Sequence, residues 1–173
     1  ENIQRQLRIA KISPTKITKI LLTHLHGDHI LGLPGLIFTL EASNYTKTLE
    51  IYGPKGTKLF FKKMMNLYRL DEIKIKITEI KNRVFLKTKE FNLEAYSLKH
   101  NIPCLAYSFI ENPKRRININ YMKKFDLTKD PLLGKLQNGK DIVYKRKKIK
   151  AKDATYLIPG KKITLILDTV PCT

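Results

Sequence analysis

The stretch Thr23-His24-Leu25-His26-Gly27-Asp28-His29 decides how this chain of 173 residues is organised. It directly follows an apolar, β-branched run at residues 17–22, which is typical of a short buried strand. Four of its seven side chains are able to bind a metal. A polar turn with a few hydrogen-bonded histidines is the alternative interpretation. Three histidines and one aspartate within six residues favour a metal site instead.

The spacing within this stretch suits two neighbouring ions. Side chains two residues apart on an extended segment point the same way, so His24 and His26 can converge on one ion. Gly27 permits a sharp turn, after which Asp28 and His29 project toward a second ion. Neutral imidazoles and a carboxylate are ligands that suit zinc and related divalent metals. We therefore predict a metal centre at the end of the first strand.

Positive charge is the strongest feature of the composition. The chain contains 34 Lys or Arg and 15 Asp or Glu, which gives a formal net charge of +19. Such an excess favours polyanionic partners, either a nucleic acid or an acidic membrane surface. A lysine-rich solubilising surface is the alternative explanation.

The remaining composition is that of an ordinary intracellular domain. Apolar runs stay far below the roughly 18 residues of a transmembrane helix, so we expect no membrane-spanning segment. Cys104 and Cys172 are far apart and fit no metal-binding cysteine spacing, which favours a reducing, cytoplasmic location. Because the chain begins Glu1-Asn2-Ile3 without a methionine, we expect a processed chain or part of a longer one.

Hydrophobic patterning predicts an α/β protein in which helices alternate with strands before several strands follow one another. One helix is expected at about 57–70, with Leu59, Phe60, Met64, Leu67 and Tyr68 on its apolar face. Strands and helices are predicted at the following places: helices at 3–12 and 29–40, and strands at 17–23, 48–52, 73–77, 84–88, 91–99, 104–110, 143–150 and 162–167.

Residues 112–141 interrupt this pattern. The segment is basic, rich in turn residues and only weakly periodic, with Tyr121 and Phe125 among its cations. Such an insertion is typical of a projecting arm rather than of core. The following charged run at 143–150 is more typical of a solvated edge strand than of a binding site.

Two further residues suit the metal centre. His100 is the fourth histidine of the chain and ends a strand-like run, and Asp168 ends the last buried-looking strand. Taken alone, each would be an ordinary loop or turn residue. An ion held by the first motif needs further ligands, however, and strand ends are where a site of this architecture gathers them.

The pattern His24-x-His26-x-Asp28-His29, followed by His100 and Asp168, resembles the metal motif of the metallo-β-lactamase superfamily. Further stretches are similar to ribonuclease Z, the endonuclease family that removes 3′ trailers from precursor tRNA. They occur in that family's order and span nearly the whole chain: Glu1-x-x-Gln4-Arg5-Gln6, Leu31-Gly32-Leu33-Pro34-Gly35, Gly53-Pro54-Lys55-Gly56, His100-Asn101-Ile102-Pro103, Ala106-Tyr107, Pro131-Leu132-Leu133-Gly134-Lys135-Leu136 and Asp168-Thr169-x-Pro171-Cys172.

This resemblance implies an αββα four-layer sandwich, incomplete at both ends in this chain. It implies two Zn²⁺ ions per subunit, with Mn²⁺ or another divalent ion as an alternative. His24, His26 and His100 would hold one ion, Asp28 and His29 the second, and Asp168 both. Asp28 would also be the catalytic group that orients or deprotonates the attacking water.

The resemblance also implies the substrate and the assembly. Residues 1–173 would be one partial domain, and 112–141 its inserted flexible arm, which grips precursor tRNA in a partner subunit of a homodimer. We expect the cations of this arm to contact phosphates: Lys114, Arg115, Arg116, Lys123, Lys124 and Lys135.

The sequence departs from the family in lacking a histidine after His100, so we expect the second ion to be incompletely ligated within these residues. If the protein ends at Thr173, we expect an impaired domain. Two alternatives stay open. One is another hydrolase of the superfamily, acting on a small ester, lactam or cyclic phosphodiester, since a fold does not specify a substrate. The other is an RNA-binding module with a decayed metal site.

Overall fold

The computed structural model of the chain describes residues 2–81 and 83–170. The Pro171-Cys172 end of the last sequence motif, and Glu1 of the first, therefore lie outside the described residues. The chain divides into two compact units, one of residues 1–87, 92–109 and 163–173 and the other of residues 88–91 and 110–162.

The first unit contains a three-stranded parallel sheet in the order β1-β2-β3. In register, Leu21 of β1 pairs with Tyr52 of β2, and Leu49 of β2 pairs with Ile75 of β3. Helices connect these strands because parallel strands all start at the same end of the sheet, so the chain must cross back to that end before each new strand. The elements are β1 (Lys19–Leu21), β2 (Leu49–Gly53), β3 (Ile75–Glu79), α1 (Ile3–Ile9), a 3-10 turn (Pro14–Lys16), α2 (Gly27–Ile30), α3 (Leu33–Ala42) and α4 (Thr57–Tyr68).

Alternating side chains of these strands enter two different apolar clusters, as the two-residue period of a strand requires. Ile20 and Ile51 pack in the cluster that contains α3 and α4. Their neighbours Leu21 and Tyr52 pack instead with Ala95, Leu105 and Tyr107 of the second sheet. The first sheet is thus covered by helices on one face and by a second sheet on the other.

Helix α4 forms where it was predicted, but its buried face differs from the predicted one. Phe61 and Met64 are buried, whereas Leu59, Leu67 and Tyr68 are exposed. The helix contains apolar residues on more than one side, so periodicity alone does not select the side that meets the sheet. The predicted core role of Met64 is consistent with its burial.

The second sheet has the strand order β11-β6-β5-β4. Its strands are β4 (Arg83–Lys87), β5 (Phe91–Leu98), β6 (Cys104–Glu111) and β11 (Lys162–Leu165). Strand β6 is central in this order, and its residues Cys104 to Ser108 are all buried. By contrast, all four residues of β11 are exposed in the described part of the chain.

The second unit is built on its own apolar cluster, which includes Met122, Leu127, Leu136 and Ile149. Its elements are β7 (Lys114–Ile117), α5 (Ile119–Lys123), α6 (Leu132–Gln137), β8 (Ile142–Tyr144), β9 (Lys147–Ile149), α7 (Ala151–Ala154) and β10 (Thr155–Ile158). Strand β7 pairs antiparallel with β10, and β8 pairs antiparallel with β9.

Two sequence-based expectations bear on this unit. The single strand predicted at 143–150 is a hairpin, because Lys145 and Arg146 turn the chain with φ of 45° and 62°. The predicted arm, residues 112–141, falls inside the unit, which continues to Lys162. That the segment is a flexible arm inserted in one domain stays a prediction. In the described part of the chain, no helix is both long and apolar enough to cross a bilayer.

Candidate metal centre

The histidine-rich stretch begins where β1 ends. The Leu22 amide donates a 2.8 Å hydrogen bond to the Tyr52 carbonyl, which continues the strand pairing by one residue. Residues 22–26, all within the described part of the chain, belong to no helix or strand; α2 begins at Gly27, and His26 directly before it has an extended backbone. Asp28 and His29 lie on the first turn of a short helix, while His24 and His26 precede it. Gly27 begins this helix without a positive φ, so the structure does not use the conformational freedom of glycine that the predicted sharp turn invoked.

Four side chains form a first group of potential ligands, namely His24, His26, His100 and Asp168, whose donor atoms lie within 4.8 Å of one another. His100 Nε2 lies 3.2 Å from His26 Nδ1, although 74 residues separate them in sequence. His24 Nε2 lies 3.4 Å from the Asp168 carboxylate. The structure thus brings together four of the residues that the sequence proposed as metal ligands.

Asp28, His29 and Asp168 form a second group within the same distance limit. His29 Nε2 lies 3.3 Å from the Asp28 carboxylate and 3.2 Å from Asp168 Oδ2. Asp168 Oδ2 is also the atom that faces His24. One carboxylate is therefore common to both groups, which is the placement that a ligand shared by two ions requires.

The chemistry of His24 fits a bound cation. Its side chain is fully buried, and its Nε2 has no hydrogen-bond partner among the described residues. Burial lowers the pKa of His24 below its usual value of 6.5, and His29 lowers it further, against the opposing effect of Asp168. The lowered pKa favours the neutral imidazole, and its Nε2, which makes no hydrogen bond within the described residues, faces the Asp168 carboxylate at 3.4 Å. A neutral imidazole beside a carboxylate is a suitable pair of ligands for a divalent ion.

Neighbouring groups hold these ligands in place. The Thr23 hydroxyl lies 3.1 Å from His24 Nδ1, which leaves Nε2 to face the group. The Thr169 hydroxyl donates to the Lys99 carbonyl at 3.2 Å, and the Val170 amide donates to the same carbonyl at 3.3 Å. These two bonds fasten the residues after Asp168 to the residue before His100. Contacts of this kind orient metal ligands in proteins.

The basic residues proposed to bind substrate lie in the second unit, apart from the metal ligands in sequence and in element. Arg115 donates to the Thr155 hydroxyl at 2.8 Å and is half-buried, so its guanidinium also supports the β7–β10 pair. The other five are all exposed, on β7, on α5 or directly after it, and on α6: Lys114, Arg116, Lys123, Lys124 and Lys135. Their contact with RNA stays a prediction.

Sequence reasoning missed a basic cleft on the second unit. Three lysines, two aromatic residues and one aspartate line it: Lys124, Lys145, Lys147, Phe125, Tyr144 and Asp126. The Lys145 ammonium lies 5.4 Å from the centroid of the Tyr144 ring. The run of four cations at 145–148 is a sequence signal for this cleft, but because the sequence predicts a single strand there, the run indicates only a solvated edge.

Comparison with known proteins identifies the family. Residues 1–103 match the family model described as the metallo-beta-lactamase superfamily. This chain belongs to the metallo-beta-lactamase superfamily. The match includes the whole histidine-rich stretch and His100, and the predicted fold class is confirmed by it and by the solved structures below.

Curated relatives point to one branch of this superfamily. The chain is 40% identical over 171 residues to ribonuclease Z of Nanoarchaeum equitans, covering 98% of this chain and 54% of the relative. It is 36% identical over 175 residues to ribonuclease Z of Pyrococcus horikoshii, covering 99% and 57%. The chain thus spans just over half the length of these relatives. The resemblance to ribonuclease Z suggested by the sequence motifs is confirmed.

Solved structures agree with this assignment. Human tRNase Z, short form, matches 64% of this chain and 51% of its own, with a TM-score of 0.58 and 29% sequence identity. The metallo-beta-lactamase fold protein YhfI from Bacillus subtilis matches 63% and 42%, with a TM-score of 0.50 and 21% identity, and supports the fold alone. Superfamily membership and the His/Asp cluster together support divalent metal binding.

Proposed function

We propose that this protein is a zinc-dependent endoribonuclease that removes the 3′ trailer from precursor tRNA. The observation that carries the proposal is that similarity to proteins named ribonuclease Z extends over 98–99% of the chain. It therefore runs beyond residues 1–103, which the superfamily model matches, and includes the basic second unit. The excess of Lys and Arg in that unit favours a nucleic-acid substrate over a small molecule.

The proposed ligands are the two groups that share Asp168. His24, His26 and His100 would hold one Zn²⁺, and Asp28 and His29 the other, with Asp168 contacting both. When bound, two such cations lower the pKa of a water molecule and neutralise the charge of a phosphodiester. The buried Nε2 of His24 supports this assignment, because it makes no hydrogen bond within the described residues, faces the Asp168 carboxylate at 3.4 Å, and would be satisfied by a cation bound to both groups.

Asp28 is the proposed catalytic base. Its carboxylate is well exposed, so water and substrate can reach it. The carboxylate also lies 3.3 Å from His29 Nε2, which keeps it beside the other members of the second ligand group. The carboxylate orients the attacking water and accepts its proton as the water attacks the phosphorus. As the new phosphorus–oxygen bond forms, the bond from phosphorus to the tRNA 3′ oxygen breaks, and that oxygen takes a proton from solvent. The phosphate stays on the trailer, so the products are a tRNA 3′-hydroxyl and a trailer 5′-phosphate.

The second unit is the proposed RNA-binding part of the molecule. Residues 110–162 contain sixteen Lys or Arg and five Asp or Glu. Contacts from such cations to phosphates position an RNA without reading its sequence. The proposal includes the residues predicted from sequence and adds the hairpin cations Lys145, Arg146 and Lys147. By similarity to the same family, we also propose a homodimer that acts in the cytoplasm.

The test is the Asp28→Ala substitution in the whole protein, assayed on a trailer-bearing precursor tRNA. We expect cleavage to slow by about 10²–10⁴-fold, the usual contribution of a general base. Binding of the precursor should stay close to that of the unsubstituted protein, because the RNA-binding cations are unchanged. Enzymatic ligation to the released tRNA end measures the 3′-hydroxyl product.

Asp71→Ala is the matched control, since Asp71 is an exposed carboxylate of the same unit outside both ligand groups. Its cleavage rate should equal that of the unsubstituted protein. An Asp28→Ala protein with a near-normal rate would exclude the proposed base. Turnover of small esters without any cleavage of precursor tRNA would exclude the proposed substrate.

A further inference from the structure

The side chain of Tyr107 connects the second sheet to the residue that precedes the histidine-rich stretch. It lies on β6, is 3% exposed, and its hydroxyl donates a 2.8 Å hydrogen bond to the Leu22 carbonyl. The same hydroxyl lies 3.5 Å from the Tyr52 carbonyl on β2. Leu22 immediately precedes Thr23 and His24, so this bond acts on the backbone that carries the first ligands.

The Leu22 carbonyl lies past the paired part of β1, whose register with β2 ends at Leu21 and Tyr52. Tyr107 therefore supplies a partner at a place where the strand pairing no longer does. Burial raises the pKa of Tyr107 well above its usual value, so the phenol keeps its proton and remains a donor. Removing a buried donor leaves its acceptor without a hydrogen bond, which lowers the stability of the folded protein.

A second bond from the same strand reaches the next residue. The Leu105 amide donates to the Thr23 carbonyl at 2.8 Å. Strand β6 thus holds two successive carbonyls, those of Leu22 and Thr23, directly before His24. It also begins at Cys104, four residues after His100. One strand therefore fixes both the start of the stretch and the segment that carries the distant histidine.

We infer that Tyr107 is a positioning residue for the metal centre, whose hydroxyl holds the backbone at Leu22 so that His24 and His26 meet His100 in ligand geometry. The Tyr107 hydroxyl faces main-chain carbonyls, so the residue acts through the main chain. This inference rests on the metal binding in the proposed function and is independent of the RNA substrate. Outer groups that orient metal ligands typically affect metal affinity by about 10–100-fold.

The test is Tyr107→Phe in the whole protein, stripped of metal with a chelator and titrated with Co²⁺. The change removes only the hydroxyl and keeps the ring in the core. We expect Co²⁺ to bind about 10-fold more weakly or worse, with a changed visible absorption spectrum. Circular dichroism checks that the metal-free variant keeps its secondary structure.

Tyr45→Phe is the matched control. Tyr45 is also buried, and its hydroxyl donates at 2.7 Å to the Ile17 carbonyl, which lies before the other end of β1. Its loss should lower the stability of the protein but leave Co²⁺ affinity and the spectrum unchanged. If both variants lose stability alike and both bind Co²⁺ like the unsubstituted protein, the Tyr107 hydroxyl is merely structural and the inference is wrong.

A measurement on the unsubstituted protein does not depend on the variant folding. Positioning is reciprocal, so metal binding should slow hydrogen exchange at the Leu105 amide. The reference is the Glu50 amide, which donates to the Thr18 carbonyl at the far end of β1. Equal slowing at both amides would mean that metal binding is not coupled specifically to the contacts between β6 and the residues before His24, a coupling that the inference requires. A protein that binds no Co²⁺ at all would overturn the proposed metal centre itself, a result distinct from weakened binding in Tyr107→Phe alone.

Discussion

At the scale of single residues, His24 links the candidate metal centre to the stability of the metal-free protein. It is the fully buried histidine of the group, and burial lowers its pKa from the usual 6.5. A group that is harder to protonate when folded than when unfolded makes the unfolded state bind more protons at acid pH. Its contribution to stability is therefore complete above about pH 6.5 and is lost as the pH falls through the lowered folded pKa.

This gives a prediction for His24→Gln in the presence of a chelator. The unsubstituted protein should lose free energy of unfolding as the pH falls below about 6.5, measured by urea denaturation. The variant, which has no proton to bind at this position, should lose less over the same interval. Identical losses in the two proteins would mean that His24 does not couple folding to pH.

At the scale of elements, α4 shows how a strand supports a neighbouring helix. The Glu79 carboxylate, at the end of β3, accepts hydrogen bonds from the Gly56 and Lys58 amides at 3.0 and 2.9 Å. Gly56 precedes the helix with φ of 101°, a conformation that favours glycine. Glu79 thus satisfies amides at the first turn of α4 and places a negative charge at the positive end of the helix.

We expect Glu79→Ala to destabilise the first unit by about 1 kcal/mol, the typical cost of losing a helix N-cap. The measurement is the free energy of unfolding in urea. Glu72→Ala, which removes an exposed carboxylate from the segment before β3, should change stability by less than about 0.5 kcal/mol. Equal effects would show that the loss reflects net charge rather than capping.

The elements also show where sequence patterns succeed. Alternation and apolar runs predicted the strands of both sheets in the first unit, because a strand buried on one or both faces has a local signature. They did not predict the buried face of α4, nor the β7–β10 pair. Those outcomes depend on which surface another element covers, and that information is not local.

At the scale of the whole molecule, the positive charge of residues 110–162 can be tested by measuring the binding of precursor tRNA. The prediction concerns the triple variant Lys145→Gln, Arg146→Gln and Lys147→Gln on the β8–β9 hairpin. Removing one cation that touches a phosphate should reduce the slope of log affinity against log salt by about 0.7–0.9. We expect weaker binding of precursor tRNA, with a slope shallower by about 2.1–2.7 if all three cations contact phosphates.

The matched control removes the same charge from the first unit, with Lys58→Gln, Lys62→Gln and Lys63→Gln on the exposed side of α4. We expect this triple variant to keep the slope of the unsubstituted protein. Equal changes in the two variants would mean that RNA responds to net charge alone and that the hairpin has no particular role.

By itself, the sequence indicated the candidate metal ligands and the family: the His-x-His-x-Asp-His stretch, the strand before it, and the motifs that resemble ribonuclease Z. It could propose His100 and Asp168 as partners because strand ends gather ligands, but it could not place them. Only the tertiary structure put His100 Nε2 3.2 Å from His26 Nδ1 and aimed Asp168 at both His24 and His29. The physical reason is that the pairing and packing of the sheets bring distant ligands together. Such long-range contacts produce no periodic pattern in the sequence.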